Sequence, residues 1–370
     1  MLKKILSENL LNESKYFIEI SRVVLSEKEI EKPKNKKSIK DAKKIIVVCT
    51  DRIGDTLNTL YFINNLRKNF MNSEITYIIK KFSDDDFFKK IFSVKVNKIY
   101  EISYDGKNNI LFLDPELEKY LKEEKFDILF DLNPFVDPII KKINYKTSIG
   151  FWRPMMRYFT NEEPLKNDIE FKMKPSIPKS LNNLNLLSIL GLKCNLEYEI
   201  PDFDINKNFD IDGKKIICVC FESTACNRTL YENKAKEIMN FINSELMEYT
   251  IVILGSNINS HGISVKDNEK IINLTGKTSL TEAAYIIKKS DLMLSVDTGM
   301  MHLSSYLKIP TIGLFFGSHP ELNCPQGLSE SIVIHSYFLE DGKIFYNEKC
   351  KENIKKRHIL TALRLLMKND

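Results

Sequence analysis

From residue 43 onward, short runs of β-branched and aromatic residues alternate with stretches of helical spacing, and few folds accept such a chain. Strands separated by helices run parallel, with the helices covering both faces of the sheet. Lys44–Thr50, Ile75–Ile79, Lys98–Ile102 and Asp127–Asp131 read as strands, and Thr56–Phe70, Asp84–Ile91 and Pro115–Glu123 as helices. A polar stretch of no clear period, Asn195–Gly213, precedes a second alternating run. Its strands are Lys215–Phe221, Thr250–Leu254, Ile271–Leu274, Leu292–Val296 and Thr311–Phe315, and its helices Tyr231–Leu246, Leu280–Lys288 and Met300–Leu307. The expectation is an α/β protein of two doubly wound parallel-sheet domains, 43–195 and 214–350, joined by a linker at 196–213. At 370 residues the chain is too long for one ordinary core, which agrees.

The flanks are less patterned. Leu6, Leu10, Phe17 and Val24 recur at roughly helical spacing and a basic stretch, Lys32 to Lys44, follows, so residues 1–42 read as an appended helix and linker. Residues 351–370 hold a last amphipathic helix, too short for a domain, which must dock on one of the two. Lys3, Lys4, Lys34, Lys36 and Lys37 could meet anionic headgroups or simply stay solvated.

Composition excludes several classes. With 43% apolar and 28% charged residues the chain is globular, neither disordered nor collagenous. A net charge of +5 is too small to imply a nucleic-acid groove. The seven cysteines form no C-x-x-C pair and have no histidine at ligand spacing, which fits reduced thiols; Cys218 and Cys220 alternate on a buried strand as small apolar groups. Neither export nor membrane insertion is expected: residues near the start show no apolar core ending in a small-residue cleavage site, and no run reaches the ~18 apolar residues of a membrane span. The expected location is cytoplasmic, with peripheral contact at the inner membrane left open, and no obligate protein partner is evident.

The glycines narrow the chemistry. No two are separated by a single residue, so the G-x-G-x-x-G dinucleotide fingerprint is absent. Gly276-Lys277-Thr278 imitates the end of a phosphate loop, but Ile271 stands where its first glycine belongs. Asp84–Asp86, Asp202–Asp204 and Asp210–Asp212 have D-x-D spacing; the first reads as a helix cap and the others as linker, so no metal is expected.

Two strand-to-helix junctions remain. In Cys49-Thr-Asp-Arg-Ile-Gly-Asp55, a strand ends, Gly54 permits a tight turn, and Asp55 enters the first helical turn, where an ionised carboxylate can serve as a general base. In Ser295-Val-Asp297-Thr298-Gly299-Met300-Met301-His302, Gly299 lets the backbone approach an anion at a helix start, and His302 could donate to it. A third loop, Phe221-Glu-Ser223-Thr224-Ala-Cys-Asn-Arg228, offers hydroxyls and a guanidinium suited to the same diphosphate. Sheets of this kind bind ligands at the carboxyl ends of their strands, and a central cleft is the expected site.

The block from Leu274-Thr-Gly-Lys-Thr278 through Asp297-Thr-Gly-Met-Met-His302 to Ile-Gly-Leu-Phe-Phe-Gly317-Ser-His-Pro320, with the Arg-Ile-Gly-Asp55 turn, resembles the ADP-heptose:lipopolysaccharide heptosyltransferases, glycosyltransferase family 9. The resemblance covers roughly residues 43–355. It implies a GT-B architecture, two Rossmann-like domains facing a cleft, and metal-independent inverting transfer without a cofactor beyond the nucleotide-sugar co-substrate. Asp55 maps to the family's base. Ser223, Thr224, Arg228, Thr278, Asp297, Thr298, Gly299, Met300, Met301 and His302 map to the donor site. Arg52 and Gly54, with Arg153 and Arg157, are the candidates for a glycolipid or other glycan acceptor. Two departures stand out: Thr229-Leu-Tyr replaces an aromatic and proline, and Ser256 stands where an acidic ribose contact is expected. A transferase using another donor on a protein or capsule acceptor, and a non-catalytic nucleotide-sugar binder, are the rival expectations.

Overall fold

Where the two alternating runs stand, two sheets form. The computed structural model describes residues 2–9, 16–31, 39, 41–82, 86–104, 111–134, 137–152, 166–256 and 270–367. The chain parts into two compact units, Ser26–Pro201 and Met1–Leu25 together with Asp202–Asp370. Strands β1 (Leu2–Asn9) and β2 (Tyr16–Val23) open the chain but belong to the sheet of the second unit.

In the unit 26–201, β3 (Lys44–Cys49) leads through α1 (Ile53–Leu57) and α2 (Leu60–Asn69) to β4 (Glu74–Lys80), then α3 (Phe87–Phe92), β5 (Lys98–Tyr104) and β6 (Leu111–Phe112). α4 (Pro115–Glu123), β7 (Phe126–Asp131), β8 (Tyr145–Phe151), β9 (Ile169–Phe171) and α5 (Lys179–Ser188) follow. The strand order is β6-β5-β4-β3-β7-β8-β9, parallel throughout except for β6. Ile45 to Cys49 are at most 1% exposed, which is why β3 reads as an unbroken apolar run: helices cover it on both faces. The order reverses between β3 and β7, so the crevice at their carboxyl ends is this sheet's natural binding place.

The helix expected over 56–70 is two helices. The Thr59 hydroxyl takes the Thr56 carbonyl at 2.7 Å and meets Tyr77 Oη at 2.7 Å, so a side chain competes for the backbone where α1 gives way to α2. α5 escaped the periodicity reading because all ten of its residues are buried, three of them asparagines. Their amides are bonded: Asn182 to the Lys174 backbone, Asn183 to Asn58 O and Asn185 to the Glu31 amide.

The other unit runs β10 (Lys215–Cys220), α6 (Glu232–Glu245), β11 (Tyr249–Ile253), β12 (Ile271–Asn273), α7 (Leu280–Lys288), β13 (Leu292–Val296), α8 (Gly299–Tyr306) and β14 (Thr311–Phe315). It ends with α9 (Pro320–Asn323), β15 (Ser331–Glu340), β16 (Lys343–Phe345), α10 (Glu348–Asn353) and α11 (Lys356–Met367). Strands β12-β11-β10-β13-β14-β15 are parallel, and the order reverses between β10 and β13. β2 then pairs antiparallel with β15, and β1 with β2.

Strands β1 and β2 therefore correct the expectation of a helix. Along β2, Ile18 and Ile20 are fully buried and join the core of this unit, a period of two that the helical spacing of Leu6, Phe17 and Val24 concealed. Lys4, considered for a membrane face, pairs with Glu19 across the hairpin at 2.8 Å; Lys34, Lys36 and Lys37 lie outside the described residues. The last helix is also two: the Lys355 amide donates to His358 Nδ1 at 3.0 Å between α10 and α11, and both helices pack on β15. No helix among the described residues is long and apolar enough to cross a membrane.

Candidate active site

At the switch point of the 26–201 sheet, the loops after β3 and β7 are tied by buried polar groups. The Thr50 amide donates to Asn133 Oδ1 at 2.7 Å, and its hydroxyl donates to Asp137, which also accepts from Tyr104 Oη at 2.5 Å. This lattice fixes where the chain leaves β3. Gly54 is buried in the first turn of α1, and Asp55 follows it with its side chain 18% exposed. Asp55 Oδ2 accepts the Arg52 amide at 3.4 Å, half of a capping box, while the Arg52 guanidinium remains 63% exposed.

The sequence did not announce the partner of Asp55. Lys179, the first residue of α5, donates from Nζ to Asp55 Oδ1 and stands 3.4 Å from Asp51 Oδ2. Burial alone favours a neutral amine, but Asp55 and Asp51 outweigh it and hold the ammonium above the usual lysine range. Asp51 is pushed up, by burial first and by the charge of Asp55 second. The Cys49 thiol, sealed at the end of β3, is pushed up to about 12 by burial. The place of Lys179 directly after Pro178 at a helix start opposes the helix dipole and calls for an anion nearby, a signal that stands out only once α5 is known.

In the second unit, the loops after β10 and β13 meet at its own switch point. Arg228 Nη1 donates to Asp297 Oδ2 at 2.9 Å, and the Ser318 hydroxyl donates to the same oxygen. Asp297 is 3% exposed, so the pair is largely desolvated. Thr229 Oγ1 accepts the Ser223 amide at 3.0 Å, closing the turn that carries Ser223 and Thr224. A side chain at Gly317 would put its Cβ 2.4 Å from the Asn227 carbonyl, so only glycine lets this loop pass beside Arg228.

α8 begins where expected, with Thr298 in extended conformation as its N-cap. In the first turn of α8 the Met301 amide donates to Thr298 O at 3.1 Å, which leaves the amides of Gly299 and Met300 for an anion at the helix start. The Met301 side chain lies in the core with Phe315, Cys324 and Val333, and His302 is 5% exposed. Thr278 precedes Ser279, which caps α7 through a reciprocal pair with Glu282. Glu222 was not anticipated as a site residue. Its carboxylate accepts from the amide and hydroxyl of Ser256, so the end of β10 brings an acid to the place after Gly255 where the sequence has none.

Of the remaining candidates, Arg153 and Arg157 lie outside the described residues, as does Asp84. Asp86 pairs with Lys89, Asp202 with Lys288 and Asp210 with Lys214. Among the described residues no group of three or more His, Cys, Asp or Glu side chains stands where it could hold a metal ion.

The pattern of glycosyltransferase family 9 (heptosyltransferase) matches residues 116–354. The lipopolysaccharide core heptosyltransferase OpsX of Haemophilus influenzae is 22% identical over 349 residues, 87% of this chain and 94% of that protein. A family 9 glycosyl transferase from Veillonella parvula superposes with a TM-score of 0.66 at 18% identity, covering 89% of this chain and 98% of the other. The ADP-heptose lps heptosyltransferase II of E. coli gives 0.61 at 17% identity, over 87% and 98%.

Proposed function

The chain belongs to glycosyltransferase family 9, and from that premise we propose that it transfers heptose from ADP-heptose to a lipopolysaccharide core acceptor, with Asp55 as general base and inversion at the anomeric carbon. The observation that carries this reading is the placement of the two chemistries. In each sheet the strand order reverses once along the parallel run; one reversal carries the carboxylate of Asp55, the other the guanidinium of Arg228 with the start of α8.

The acceptor hydroxyl gives its proton to Asp55 as its oxygen attacks the anomeric carbon, and the bond from that carbon to the diphosphate oxygen breaks. A single displacement inverts the centre. The charge that develops on the leaving diphosphate meets Arg228 and the amides of Gly299 and Met300, donors already in place before reaction. Arg228 is itself held by Asp297, which limits its motion to one geometry. In this reading the cation's work is done by side chain and backbone, with no metal step. Arg52, exposed beside the base, suits an acidic acceptor such as a phosphorylated or Kdo-bearing core.

Asp55→Asn tests the reading. ADP release from ADP-heptose in the presence of a Kdo-terminated lipopolysaccharide should fall by about 10²–10⁴-fold, while ADP still raises the melting temperature. Turnover that survives the substitution removes Asp55 as base. Loss of both turnover and binding in a folded protein contradicts the separation of roles, and ADP binding by the unsubstituted chain without turnover of any nucleotide sugar favours a non-catalytic binder.

A further inference from the structure

Lys179 is a buried cation in a costly place. It opens α5 with 5% of its surface exposed, at the helix end that carries partial positive charge, and a desolvated ammonium there is disfavoured on both counts. Two carboxylates offset this: Nζ donates to Asp55 Oδ1 and lies 3.4 Å from Asp51 Oδ2. Among the described residues, the charged and titratable groups around Asp55 include Asp51 and Arg52 from the loop after β3, Lys179 from α5, and the buried Cys49 thiol at the end of β3.

One carboxylate is enough to pair one lysine; the second changes what happens on proton transfer. With Asp55 ionised, two carboxylates face one ammonium. When Asp55 accepts a proton, Asp51 still balances Lys179, so no buried charge is stranded.

Resting on the proposed role of Asp55, we propose that Lys179 is the positioning residue of the base and that Asp51 is the counter-ion that keeps Lys179 charged and in place once Asp55 is protonated. Lys179 anchors Oδ1 and favours the carboxylate before the acceptor arrives. It transfers no proton: that moves only from the acceptor hydroxyl to Asp55.

The test follows the Asp55 carboxyl directly, by ¹³C NMR titration of the aspartate-labelled full-length protein with the signal assigned from its loss in Asp55→Asn, alongside the pH dependence of kcat for ADP release from ADP-heptose. Lys179→Met should raise the Asp55 titration midpoint by about one to three units, carry the acidic limb of the kcat profile with it, lower kcat near neutrality by about tenfold or more, and leave ADP affinity unchanged. Asp51→Asn, which keeps the Lys179–Asp55 pair, should lower the midpoint, and the double variant should fall between wild type and Lys179→Met. An unmoved midpoint in a folded Lys179→Met protein overturns the positioning role; should that variant fail to fold, the same titration of Lys179→Gln decides it. An unmoved midpoint in a folded Asp51→Asn protein overturns the counter-ion role. Activity retained in Asp55→Asn instead removes the base itself, an outcome distinct from these.

Discussion

In the proposed donor site, Arg228 would depend on Asp297 as much as on its own charge. A guanidinium can grip a diphosphate with paired donors only if its plane is fixed, and here Nη1 is held at 2.9 Å by a carboxylate that Ser318 also supports. Arg228→Lys keeps the charge but loses the fork, so the dissociation constant for ADP should rise by about tenfold or more, on the scale of one charge-assisted hydrogen bond. Asp297→Asn should weaken binding in the same direction while the arginine remains. Calorimetric titration with ADP checks both, and equal affinity in all three proteins contradicts the assignment. At this scale the sequence was partly legible. Asp55, Arg228 and Asp297 stand at junctions that strand, glycine and helix announce within a few residues. Lys179 and Glu222 reach their partners from 124 and 34 positions away, and nothing in local spacing reports a contact made only by folding.

Among the elements, the edge of the second sheet is the part that composition hides best. The β1–β2 pair is not legible in the sequence because short apolar–polar segments satisfy periods of two and of nearly four alike; only pairing with β15 decides. Behind that edge, β15 buries His335, whose Nε2 meets Tyr346 Oη at 3.0 Å while the rings of His319 and Tyr337 stand at 5.4 and 4.6 Å. Burial, with His319 beside it, pulls the imidazole down to about 3. An unfolded histidine titrates near ~6.5, so the folded state binds fewer protons than the unfolded one between these values. Stability is then full above pH ~6.5 and falls as pH drops toward about 3. His358 in α11, also pulled down by burial, acts in the same direction next to Glu8 and Arg357. His335→Phe removes one titration and should flatten the decline of melting temperature between about pH 6.5 and 4; an unchanged slope assigns the acid sensitivity elsewhere.

For the molecule as a whole, the two alternating strand–helix runs are the most legible feature, because parallel strands buried on both faces must be written as apolar runs, and helices between them must show the longer period. What the alternation does not carry is the path of the chain. Strands β1 and β2 join a sheet whose other strands begin at Lys215, so β2 completes its pairing only once β15, more than 300 residues later, exists. Each unit has its own apolar cluster: Ile18, Ile20 and Ile217 with α6 and α11 in one, Ile46, Val48 and Leu129 with α4 in the other. Two cores imply two cooperative melts, and a ligand stabilises the state that binds it. Because the proposed donor residues Arg228, Asp297 and the start of α8 all belong to the unit containing 202–370, ADP at about 100 times its dissociation constant should stabilise that unit by about 2.7 kcal/mol and shift one calorimetric transition, leaving that of 26–201 in place. Lys179→Met should do the reverse, lowering the transition that ADP does not move. A single transition displaced as a whole by ADP would show instead that the two cores unfold as one, and the donor cradle could then not be credited to either alone.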